Sequence, residues 1–179
     1  MPAAATGEDV PKTDGIPNYM LFTFGTIASL TEPPDSSTAV EEDGVVYEQD
    51  RVVSILTSDV IDMVQQQGGS AQNVDHLGEN MLIEGMLFDS FKAGDTFDIL
   101  PDSAGGGADA VVTLEIVEPR QSSALNLGQL GDDESKKQSI ASITSLAPGF
   151  AGWAARVALT GRVSAGFKIV KRVKDASGE

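Results

Sequence analysis

The chain has 179 residues, 41% of them hydrophobic, and carries 27 acidic against 12 basic side chains for a net charge of −15. That length suits about one domain with a real core, and no run approaches the roughly 18 to 20 apolar residues of a membrane span. The acidity disfavours nucleic acid and anionic membrane as partners. The absence of cysteine removes disulfides, zinc–thiolate sites, iron–sulfur clusters and thiol nucleophiles together.

The charge is unevenly placed. Residues 1–118 hold 22 acids and three bases, whereas residues 119–179 hold five acids and nine bases. The two parts are expected to attract each other within one fold, although the basic part could also receive a small anion. Residues 1–15 match neither a signal peptide nor an Arg-rich transit peptide, which leaves a cytoplasmic location as the default expectation.

In chain order, residues 1–17 are polar and predict a flexible tail. One domain is expected over 18–174, with a short tail at 175–179. Aromatic and β-branched residues over 19–30 predict a first strand, and the Pro33-Pro34 loop ends that pattern. Short strands follow at 45–47 and 52–56. Thr57 or Ser58 then caps a helix whose apolar face is Val60, Ile61, Met63 and Val64 and whose stop is Gly68-Gly69. Strands are predicted at 80–84, 96–100, 110–118, 154–160 and 167–173, with a second helix over 132–146 capped by Asp132 or Asp133. Many short strands with few helices and glycine-rich turns predict a mainly β chain folded as a barrel.

Four places carry candidate chemistry. Gly78-Glu79-Asn80 is a tight polar turn leading into an apolar strand; it either lines a pocket or satisfies local backbone. Pro119 ends the long strand, freeing Arg120 to turn its guanidinium towards a phosphate or carboxylate at the barrel mouth. Arg156 and Arg162 are further anion contacts by residue type, and Trp153 is expected as a core anchor. Asp75-His76 could orient an imidazole as a base, but no Gly-x-Ser-x-Gly element supplies a matched serine. The basic run Lys168, Lys171, Arg172 and Lys174 reads as a solvated strand face.

Gly-Glu-Asn-Met-Leu-Ile-Glu-Gly at 78–85, with Gly94-Asp95 after it, resembles the "GEN-hydrophobic-x-x-G … GD" signature of the MOSC domain family, the molybdenum-cofactor sulfurase C-terminal domain. Val-Glu-Pro-Arg-Gln-Ser-Ser at 117–123 resembles that family's "x-x-P-R-x-P-C" run, and Gly-Trp-Ala-Ala-Arg-Val at 152–157 its late-strand motif. The resemblance covers about residues 20–172 and implies a compact β-barrel related to that of pyruvate kinase. It also implies binding of a molybdenum cofactor (molybdopterin) or a similar small anion, with Asn80, Arg120, Ser123 and Arg156 as cofactor-binding residues. Family members transfer sulfur to the molybdenum cofactor or support molybdenum-dependent reduction of N-oxygenated substrates. Pyridoxal phosphate is tied to the full-length sulfurases through a separate domain that these residues do not include.

Three departures stand out: Ser123 occupies the cysteine position, Phe167 replaces an acid, and residues 44–50 reproduce the early "G-I-x-G-D" motif poorly. A serine hydroxyl forms no persulfide and is a poor ligand for a soft metal. No catalytic residue and no metal ligand is therefore assigned. The alternative is a non-catalytic barrel with a decayed site that binds a protein partner.

Overall fold

A computed structural model describes residues 24–31, 44–68, 77–102, 110–121, 123, 125–127 and 133–172. Its strands are β1 (Phe24–Leu30), β2 (Val45–Tyr47), β3 (Val52–Thr57), β4 (Met81–Glu84), β5 (Thr96–Leu100), β6 (Val112–Pro119), β7 (Trp153–Leu159), β8 (Gly161–Val163) and β9 (Lys168–Arg172). The helices are α1 (Ser58–Gly68) and α2 (Glu134–Leu146), and Phe88–Ser90 forms a 3₁₀ turn. The first strand begins at Phe24 within the described residues; the predicted start at 19, both tails and His76 lie outside them. The short β8 was not anticipated, because Gly-Arg-Val at 161–163 is too brief to show a periodicity.

Seven strands close a barrel in the order β1–β4–β3–β7–β6–β5–β9. A mainly β barrel with two α-helices is what the sequence predicts. Alternation explains the closure: Val53 and Ile55, Phe97 and Ile99, and Ala155 and Val157 all point inward and are fully buried. Only β3 and β4 run parallel within the barrel, with Ile55 opposite Met81. A parallel pair needs a long crossover, and α1 supplies it. The ribbon of β2 and β8 adds Val45, Tyr47 and Val163 to the same core.

The outward residues of β3 and β4 build a second core. Leu56 and Leu82 pack there with Val60, Ile61 and Val64 of α1, Ile140 of α2, and Leu77, Leu125 and Phe150. Asp133 is the N-cap of α2, its carboxylate accepting from the amides of Ser135 and Lys136. Both helices therefore lie against one flank of the barrel.

The opposed charges of the two sequence halves meet across β5 and β9. Lys171 Nζ lies 2.6 Å from Asp95, Lys168 Nζ 3.4 Å from Asp102, and Arg172 grips Asp98 through Nε at 2.9 Å and Nη2 at 2.7 Å. Asp98 is fully buried and also accepts from the Thr113 hydroxyl at 2.8 Å. Lys168, Lys171 and Arg172 keep 32–46% of their side chains exposed, as a solvated face does, and also form ion pairs, because strand register sets them beside acids that sequence distance conceals. Among the described residues no helix is long and apolar enough to cross a membrane.

Candidate functional site

Two glycines set the geometry around Arg120. Gly78 has φ of 89°, which a side chain rarely tolerates, and opens the Gly78-Glu79-Asn80 turn before β4. Gly152 has φ of 89° just before β7, and a Cβ there would meet Ile55 O at 2.3 Å. Its carbonyl accepts from the backbone N–H of Arg120 at 2.9 Å. Pro119 pairs with Trp153, so β6 ends level with the start of β7 and Arg120 leaves the ladder there.

From that point the Arg120 side chain crosses to the turn, where Nη2 donates to the Gly78 carbonyl at 3.3 Å. A Cβ on Gly152 would lie 3.3 Å from Leu56 Cδ1 and 3.4 Å from Arg120 Nη1. Leu56 faces the second core, so the guanidinium sits on the helix-covered flank of the barrel. It also lies at the strand ends, just past β6 and beside the start of β7 and the turn before β4. Burial lowers the Arg120 pKa, and the negative charge of Glu79 partly opposes that fall.

Glu79 is itself buried, and its carboxylate accepts from the Leu77 amide at 2.7 Å. Asn80 is half-buried and turned to β3: its Oδ1 accepts from Ser54 N at 2.9 Å and from the Ser54 hydroxyl at 3.0 Å. The Asn80 amide in turn donates to Ser54 O and Oγ, and its carbonyl accepts from Thr31 N. Sequence reasoning overlooks Ser54, a lone serine in an apolar strand; only the period-two alternation marks it as outward-facing.

Ser123 is exposed, three positions beyond Arg120. The loop that follows it is pinned to the turn, with Leu125 buried in the second core and Asn126 N donating to Leu77 O at 2.9 Å. Arg120 and Asn80 thus meet at one turn, which the loop carrying Ser123 borders. Arg156 belongs elsewhere. It projects outward between the inward Ala155 and Val157, donates to Glu115 and lies 3.6 Å from Asp50. The hydrogen bond and charge of Glu115 raise its pKa. Gly152 and Arg156 are four strand residues apart, roughly 13 Å at ~3.3 Å per residue.

The arrangement offers one partly buried cation, a buried carboxylate and backbone groups gathered at a single turn. Among the described residues, no group of three or more His, Cys, Asp or Glu could hold a metal ion. Trp153 is a core anchor as expected, its Nε1 donating to Phe88 O at 2.8 Å.

A closed β-barrel whose Gly-Glu-Asn turn is tied to a Pro-Arg strand end defines the class of protein. The model of the MOSC domain matches residues 42–170, and the chain belongs to that family. The YuaD protein from Bacillus subtilis is a similar solved structure, 17% identical with a TM-score of 0.48, covering 68% of this chain. The match spans 64% of the YuaD chain. A second structure, of a hypothetical protein, is 14% identical with a TM-score of 0.51, covering 86% of this chain and 67% of that one. At such identity it supports the fold alone. No curated protein matches the sequence.

Proposed function

We propose that this molybdenum-cofactor-related domain binds a molybdopterin-type cofactor or a comparable small anion through Arg120, and that it does not carry sulfur. The observation that supports the reading is the partly buried guanidinium fixed at the Gly78 carbonyl. A desolvated cation gains more from an anion than an exposed one does, because less water screens the pair. The anionic end of such a cofactor fits this residue set; a soft metal centre finds no thiolate in it. When bound, the cofactor would supply the redox or sulfur-accepting chemistry. The chain's own part is to hold and orient the anion: Arg120 pairs with it, and Ser123 offers a hydroxyl donor from the bordering loop.

Persulfide transfer requires a sulfur nucleophile that is substantially thiolate near neutral pH, and the chain has none. Incubation with a cysteine desulfurase and radiolabelled cysteine is expected to leave no covalent label on the protein. Retained label would overturn that half of the proposal. A second reading, a protein-binding barrel with a decayed site, is favoured by the internal engagement of Asn80 with Ser54 and of Arg156 with Glu115.

A further inference from the structure

We propose that Glu79 is the resident counter-charge of Arg120 and sets which anions the site admits; this rests on the reading of Arg120 as the anion-binding residue. Glu79 is 5% exposed and occupies the turn that Arg120 grips through the neighbouring Gly78 carbonyl. Its carboxylate accepts from the Leu77 amide at 2.7 Å, which holds it within the turn. The Thr31 hydroxyl donates to the Glu79 carbonyl at 2.6 Å and locks the backbone as well. Its negative charge acts on Arg120 and supports the charged guanidinium against burial.

A fixed carboxylate next to a binding cation has two opposed consequences. It keeps the guanidinium charged and in place before the ligand binds, and it repels the incoming anion in a setting where water screens little. Arg120 is already ionised across the ordinary pH range, so the first effect adds little to affinity and the second dominates. Glu79 therefore acts as a specificity-determining residue. It excludes anions that bring only diffuse charge and admits those that form several strong hydrogen bonds to a guanidinium, as a phosphate group does.

The test titrates inorganic phosphate into protein carrying ¹⁵N-arginine and follows the Arg120 Nε resonance. Glu79→Gln keeps an acceptor for the Leu77 amide and removes the charge. It is expected to tighten phosphate binding about tenfold, near the lower end of couplings between close charges. Arg120→Met abolishes the response in both backgrounds, and Glu134→Gln, a charge removed from the exposed start of α2, leaves it unchanged. Equal or weaker binding by Glu79→Gln, with wild type responding, overturns the role of Glu79 alone. A silent Arg120 resonance in both proteins overturns the anion-binding reading with it. Should Glu79→Gln fail to fold in phosphate-free buffer, phosphate is expected to restore it where chloride at equal ionic strength does not. Equal rescue by both salts counts against the proposal.

Discussion

Asn80 and Ser54 form a reciprocal clasp: the Asn80 Oδ1 accepts from the Ser54 amide and hydroxyl, while the Asn80 amide donates back to Ser54 Oγ at 2.8 Å. The clasp holds the Gly78-Glu79-Asn80 turn against β3 just where β4 begins its parallel pairing, with Met81 opposite Ile55. The asparagine of the family signature thus has a structural duty in this chain that is independent of any ligand. Asn80→Ala would strip the Ser54 amide of its acceptor in a half-buried setting, at about 2 kcal/mol. Urea unfolding should show a lower midpoint with an unchanged slope, since the surface exposed on unfolding hardly changes.

The Asp98–Arg172 pair makes a sharper stability prediction. Asp98 is fully buried on the outer side of β5 and draws on Arg172 and Thr113 for its hydrogen bonds. Arg172→Met leaves that carboxylate buried without its counter-charge, and the cost is expected to be ~3 kcal/mol. Asp98→Asn combined with Arg172→Met removes both charges and should recover part of the loss. Thermal unfolding of the two variants checks this, and a double variant no more stable than Arg172→Met would show that the pair is not coupled.

Gly152 ties the barrel to the candidate site. Its positive φ and the 2.3 Å approach of a Cβ to Ile55 O leave no room for a side chain without moving backbone. Gly152→Ala is expected to destabilise the fold by more than about 1 kcal/mol and to displace Arg120, whose amide rests on the Gly152 carbonyl. Hydrogen exchange at the Arg120 amide should rise more than at Val53, deep in the barrel.

Asp133 supplies a pH-dependent element. Hydrogen bonds from the Lys136 backbone amide, first, and from Ser135 hold its pKa below the ordinary carboxylate value. A lowered folded-state pKa means that the cap's contribution is complete above the unfolded value of about 4 and is lost as pH falls through the lowered one. Exchange protection of the first turn of α2 should therefore be flat above about pH 5 and decline in more acid solution. In Asp133→Asn the acid-dependent decline should disappear.

Much of the fold is legible in the sequence because alternation is a local signal. Val-Val-Ser-Ile-Leu before the apolar face of Val60, Ile61 and Val64 gives β3 and α1, and the alternation after residue 110 gives β6. The Thr57 hydroxyl, however, finds no partner among the described residues and does not cap the helix. The site is only partly legible. Gly78, Asn80 and Arg120 stand out as a turn and a strand end, and the structure brings them together. Arg156 stands out equally by residue type, yet the register that seats it against Glu115 is a property of the paired strands rather than of its own segment. The burial of Glu79, the partnership of Ser54 and the ion pairs of β9 depend on contacts between segments distant in the chain, which no local pattern encodes.

The central claim, that Arg120 holds a small anionic ligand, is tested most directly by native mass spectrometry of protein purified from a host competent to make molybdenum cofactor. Wild type and Arg120→Met are compared side by side. Wild type is expected to carry an added ligand mass, lost under mild activation, and Arg120→Met to be a bare chain. A bare wild-type chain, or a ligand retained equally by both proteins, would contradict it.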